Sequence, residues 1–180
     1  MEDLAQRFQE DHPNVKITFN ADSSGTLLTQ IQEGYECDIF FSAAEKQMND
    51  LEEGGQVVEG TRHNVVNNQV VVLTLKDSGT SVTGLENLNE AKSIALAGGS
   101  VPVGRYTTYY SDTYGYEDQV EVLETVSYDL TGNVIYPVCM VENPEADDAQ
   151  TQAAEEFLNY IISDDAKEVF EAYYFDTNVE

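Results

Sequence analysis

The segment Asp22-Ser23-Ser24-Gly25-Thr26-Leu27 carries three hydroxyls and a glycine directly ahead of a helical pattern. Leu27, Leu28 and Ile31 fall on one face of that helix, which ends near Gly34. The first N–H groups of a helix have no partner within it. Serine hydroxyls beside those N–H groups therefore outline a site for an oxyanion. Gly98-Gly99-Ser100-Val101-Pro102-Val103-Gly104, ahead of an expected helix over Arg105 to Tyr114, offers a second set of such donors. A Ser, Thr or Asp at a helix start is also an ordinary cap worth about 1 kcal/mol. Each loop alone reads as a cap; the pair is what points to an anion.

Catalytic patterns are absent from the same sequence. His12 and His63 are the two histidines; one precedes Pro13 and the other follows Arg62 in a polar stretch, both read as surface positions. Ser24 lacks the flanking glycines of a nucleophile elbow, so a hydrolase acting through it is the weakest reading. The loop at Gly98 to Gly104 lacks the lysine of a phosphate-binding loop. Glu52-Glu53, Asp147-Asp148 and Asp164-Asp165 sit in helices or at their starts and read as solvated or capping groups. The tyrosines from Tyr106 to Tyr116 suggest a carbohydrate platform or, more simply, helix packing. Cys37 and Cys139 stand singly in apolar runs without metal-ligand spacing, and read as buried thiols with a disulfide as the alternative. No catalytic residue, metal ligand or cofactor is expected.

The loops need elements to hold them. Helices are expected over Glu2 to Glu10, Ala44 to Glu53, a stretch carrying Ala154, Phe157, Leu158, Ile161 and Ile162, and Asp164 to Tyr173. Strands are expected at Val15 to Phe19, Ile39 to Phe41, Val70 to Leu75, Ile94 to Ala97, Val120 to Thr125 and Val134 to Val141, with a turn over Asp129 to Asn133. The Ser-, Thr- and Gly-rich stretch Lys76 to Gly84 is the candidate crossing between lobes. Strands alternating with helices give an α/β fold with a largely parallel sheet.

Composition bounds the partners. The 180 residues hold 34 Asp and Glu against 8 Lys and Arg, a formal net charge of -26, while 41% hydrophobic residues supply a folded interior. That field repels nucleic acid and anionic lipid. Its simplest account is a heavily solvated surface suited to high salt. No apolar run is long enough to span a membrane. Met1-Glu2-Asp3 leads straight into helix-like sequence, so no signal peptide is expected.

Several segments, in order, resemble one family. They are Ser23-Ser24-Gly25-Thr26-Leu27 with Gln30-Ile31, Cys37-Asp38-Ile39-Phe40-Phe41-Ser42-Ala43 followed by Met48, and Asn67-Asn68. Val101-Pro102-Val103-Gly104-Arg105-Tyr106, Tyr136-Pro137-Val138 and the ending Ala166 to Phe175 continue the series. Over nearly all of its length the chain resembles the periplasmic molybdate-binding proteins of ABC transporters, a branch of the type 2 solute-binding proteins. The resemblance implies a type 2 periplasmic-binding-protein-like fold of two lobes with mostly parallel sheets flanked by helices. Lobe one would hold residues 1–80 and 134–180, and a reduced lobe two residues 81–133.

By the same resemblance Ser24 would bind molybdate or tungstate through its hydroxyl and N–H, and the Val103 N–H would bind from the opposite lobe, with Ser23, Gly25 and Gly104 beside them. The implied protein is not an enzyme. It lies in the periplasm or at the cell surface and delivers the oxyanion to a membrane permease. The family also has an initial strand with a serine-bearing loop, and near Asp118 to Val120 a strand, a helix and a strand ending in a tyrosine ligand; neither has a counterpart here. A shortened version with exposed strand edges, binding weakly and self-associating, is the alternative.

Overall fold

Glu2–Asp11 forms helix α1 because Leu4, Ala5 and Phe8 recur at helical spacing and are all buried. The computed structural model describes residues 1–95 and 119–179. The expected strand end at Leu96 and Ala97, the loop bearing Val103 and Gly104, and the Arg105 helix with its tyrosines lie outside them.

The chain divides into two compact units, Met1–Asn67 with Ile135–Glu180, and Asn68–Val134. The division falls inside two strands, at Asn67/Asn68 and Val134/Ile135, and Lys76 to Gly84 lies inside the second unit.

The first unit contains α1, α2 (Ser24–Gln32), β1 (Ile39–Phe41), α3 (Glu45–Glu53), most of β2 (His63–Asn68) and most of β5 (Val134–Met140). It closes with α5 (Asp148–Ile161) and α6 (Asp164–Ala172). Its three strands lie in the order β1-β5-β2. Ile39 pairs with Met140, Phe40 with Cys139 and Phe41 with Val138. Successive side chains on a strand point to opposite faces. Phe40 and Cys139 accordingly join Leu28, Ile31, Met48, Leu51 and Val141 in one core with α2 and α3. Phe41 turns the other way, its ring 6.0 Å from that of Phe170 on α6. Helices thus cover both faces of the sheet, as α/β architecture requires.

α1 packs on α5 and α6, with the Phe8 ring 5.1 Å from that of Phe157. The termini of these helices follow cap chemistry: Asp147 accepts the Gln150 N–H at 2.8 Å and Ser163 the Ala166 N–H at 3.2 Å. After α6 the chain lies along β2, where Asn67 and Asp176 exchange N–H···O bonds of 2.7 and 3.2 Å. That contact occupies part of a strand edge.

The second unit holds β3 (Val71–Leu75), a 3-10 helix at Leu85–Glu90, β4 (Val120–Thr125) and the one-turn α4 (Tyr128–Thr131). Glu124 accepts the Leu85 N–H at 2.7 Å and fixes the 3-10 helix to the β3–β4 ribbon.

The described residues differ from the sequence-based expectation in three places. Both strand pairs with a defined register, β1–β5 and β3–β4, are antiparallel. The alternation rule assumes that each strand pairs with the next one across a helix. Here β5 returns the chain from the second unit, and β3 and β4 are the outgoing and incoming arms of one ribbon, so neighbours run in opposite directions. Val15, Ile17 and Phe19 alternate as a strand should, yet the described residues supply no strand beside them, and Phe19 is exposed. Alternation specifies a face, but a ladder also needs a partner. The expected turn at Asp129 begins as α4 instead and closes at Gly132, whose φ of 68° suits glycine.

Cys37 and Cys139 are free and share the core around Met48. Burial, reinforced by the Asp38 charge, pushes the Cys37 thiol up to about 11. Burial, and then the neighbouring Cys37, raises Cys139 to about 12. Both pKa values rise on folding, so the contribution to stability is full below pH 9 and is lost as pH climbs through about 11 to 12. A disulfide reagent at pH 8 should therefore label the folded chain about 100-fold more slowly than the denatured chain. Equal rates would contradict the burial of Cys139 and the half-burial of Cys37.

Candidate functional site

The Asp22 to Leu27 loop folds into a capped helix start. Ser23 is the N-cap of α2 with φ -60° and ψ 144°. Its hydroxyl accepts the Thr26 N–H at 3.2 Å and lies 2.9 Å from the Thr26 hydroxyl. The Ser23 N–H is bound by the Asp22 carboxylate at 2.6 Å. Ser23 is thus committed to holding the turn.

Ser24 differs. Its Oγ accepts the Ala43 N–H at 2.9 Å, across 19 residues of sequence, and finds no acceptor for its own proton among the described residues. As the first residue of α2, Ser24 has no helical partner for its N–H, nor has Gly25 beside it. Gly25 has no positive φ, and a Cβ there would meet nothing within 4 Å, so neither strain nor crowding demands glycine. Three donors, the N–H groups of Ser24 and Gly25 and the Ser24 hydroxyl, remain available at a helix N-terminus. The carboxylate of Asp22 is the charge next in sequence, so attraction must come from oriented dipoles.

The turn that supplies Ala43 follows β1. Ser42 is fully buried, and its N–H is held by Pro137 O of β5 at 2.9 Å. Its hydroxyl donates to Ala44 O at 2.7 Å and accepts the Ala44 N–H at 3.3 Å. Sequence reasoning included Ser42 and Ala43 in a motif without a role for either. A bond spanning 19 residues leaves no local signature.

Of the five residues singled out from sequence, Ser23, Ser24 and Gly25 lie together at the start of α2. Val103 and Gly104 lie outside the described residues. Other candidates resolve into structural roles. The His12 ring stacks on Phe8, with Nδ1 3.0 Å from Phe8 O and Nε2 3.7 Å from Glu156. Glu52 pairs with Arg62, and Asp164 with Lys167 at 2.9 Å. A groove of about 460 Å³ lies at the other end of α2, lined by Gly34, Tyr35, Glu36, Gln56, Glu142 and Glu145 among others. Three glutamates there oppose an anion. No group of acidic, histidine or cysteine side chains among the described residues could hold a metal ion.

The chain is similar to known proteins. A Bacillus subtilis protein described as an ABC transporter substrate-binding lipoprotein, YvgL, is 29% identical over 97% of this chain and 81% of its own length. The molybdate-binding protein ModA of Haemophilus influenzae is 25% identical over 97% of this chain and 84% of its own. These alignments run over 214 and 219 positions against a chain of 180 residues, so each relative has at least 34 or 39 residues inside the matched span with no counterpart here.

A solved substrate-binding domain, described as that of a molybdenum ABC transporter from Clostridium difficile, superimposes with a TM-score of 0.74. It is 24% identical and is matched over 100% of this chain and 93% of its own. The fold is that of the type 2 periplasmic binding proteins. The profile of the bacterial extracellular solute-binding proteins matches residues 1–128. By that match, which spans well over half of its length, this chain belongs to the bacterial extracellular solute-binding protein family.

Proposed function

We propose that the chain is the solute-binding component of an ABC transporter and captures a tetrahedral dianion, molybdate or tungstate, at the start of α2. The observation that carries this reading is the trio of unengaged donors at Ser24 and Gly25, in a loop with no cation of its own. Hydrogen bonds to a charged group contribute roughly 1.5 to 3 kcal/mol each. A few fixed donors can therefore hold a dianion on a protein with a net charge of -26. Donors at Val103 and Gly104 complete the site in this proposal, on the strength of their sequence motif. Neutral donors set at fixed positions favour the larger tetrahedral anions over sulfate by size.

The proposed role is binding and delivery to a membrane permease outside the cytoplasmic membrane, without catalysis. The relatives' names support binding in the service of an ABC transporter. The described helices include none long and apolar enough to cross a membrane. A ligand that binds only the folded state at about 100 times its Kd stabilises it by roughly 2.7 kcal/mol. Saturating molybdate or tungstate should then raise the melting temperature by about 5 to 10 °C at 2 to 4 °C per kcal/mol. An unchanged melting temperature in both oxyanions would refute the proposal.

A further inference from the structure

We infer that Ser42, which contributes no donor to the oxyanion, is a positioning residue that sets the aim of the Ser24 hydroxyl. The inference rests on the oxyanion reading of the α2 loop. A serine hydroxyl rotates freely unless a second bond fixes it. In this chain that second bond is the Ala43 N–H donated to Ser24 Oγ at 2.9 Å. With one lone pair of Oγ occupied from the β1 side, the hydroxyl proton is turned away from Ala43 and left for an acceptor elsewhere.

The direction of the Ala43 N–H depends on Ser42. Its hydroxyl bridges Ala44 O at 2.7 Å and Ala44 N at 3.3 Å, closing the turn whose middle amide is Ala43. Its backbone is tied to Pro137 of β5 at 2.9 Å, and the residue is fully buried. Ser42 therefore transmits the rigidity of the sheet to a loop hydroxyl far earlier in the sequence. Alanine at this position keeps the backbone tie and deletes the bridge. The turn then loses the bonds that orient Ala43, and Ser24 loses its fixed rotamer. A chain without this device would bind the same anion with a hydroxyl that must be ordered on each encounter.

A double-mutant cycle on molybdate affinity, measured by calorimetry on the full chain, tests this. Ser42→Ala is expected to weaken binding about tenfold in the Ser24 background, corresponding to the loss of one oriented hydrogen bond. In the Ser24→Ala background the same change is expected to shift affinity less than about twofold, because its target is already gone. A merely structural role would lower affinity equally in both backgrounds, and that additivity overturns the inference, as does unaltered binding by Ser42→Ala. Should Ser42→Ala fail to fold, Ser42→Cys, which keeps the size and a weak donor, decides by the same comparison with a smaller expected loss. An unaltered chain that binds no molybdate overturns the oxyanion reading and this inference together. An unaltered chain that binds while the cycle is additive overturns this inference alone.

Discussion

Replacing Ser24 by alanine is expected to weaken molybdate binding roughly 10- to 150-fold, the equivalent of one hydrogen bond to a charged group. The substitution deletes the hydroxyl whose proton is unspent and keeps the N–H groups of Ser24 and Gly25, so residual binding should persist. The helix keeps its cap, but the Ala43 N–H loses its partner, so some stability is lost with the affinity. Ser23→Ala is the informative contrast. Its hydroxyl accepts the Thr26 N–H, and loss of such a cap costs about 1 kcal/mol of stability. Calorimetry should separate the two variants, with affinity falling far more in Ser24→Ala than in Ser23→Ala, whose loss is chiefly in melting temperature. An affinity loss in Ser23→Ala equal to that in Ser24→Ala would contradict this division of labour.

Raising sodium chloride from about 0.05 M to about 1 M is expected to stabilise the fold, with a melting temperature roughly 5 °C higher or more. The cause is self-repulsion among 34 acidic side chains met by 8 basic ones. Among the described residues, Lys46 pairs with Asp50, Arg62 with Glu52 and Lys167 with Asp164, and all three pairs are at least partly exposed. Such pairs add little. Screening contracts from about 10 Å at 0.1 M to about 3 Å at 1 M. A gain of 1 kcal/mol moves the melting temperature by about 2 to 4 °C in a chain of this size. The same field repels the incoming dianion, so molybdate association should become faster as salt rises, the reverse of a site lined with lysine or arginine. A melting temperature independent of salt, or association slowed by it, would contradict the role given to net charge.

Much of unit one was legible in the sequence because its signals are local. The spacing of Leu4, Ala5 and Phe8, the Ile39 to Phe41 run and the Ala154 to Ile161 face each place an element within a few residues of where it lies. β2 was not legible, since His63, Asn64, Asn67 and Asn68 surround two valines, and Val65 to Asn68 are buried in a row, so no alternation marks the strand. The Val15 to Phe19 segment shows the opposite failure, in which a clear pattern lacks a partner. At the site, the loop chemistry of Ser23 to Thr26 was readable, but the distinct duties of its two serines were not. Ser23 turns inward to the helix it caps and Ser24 outward to Ala43, a difference set by a contact from after β1.

The most direct test is a calorimetric titration of the folded chain with molybdate at high salt, where electrostatic repulsion is least. A saturable heat with one anion per chain, reduced in Ser24→Ala, is the predicted result. No heat from a chain shown to be folded in the same buffer would contradict the assignment of an oxyanion site to the start of α2.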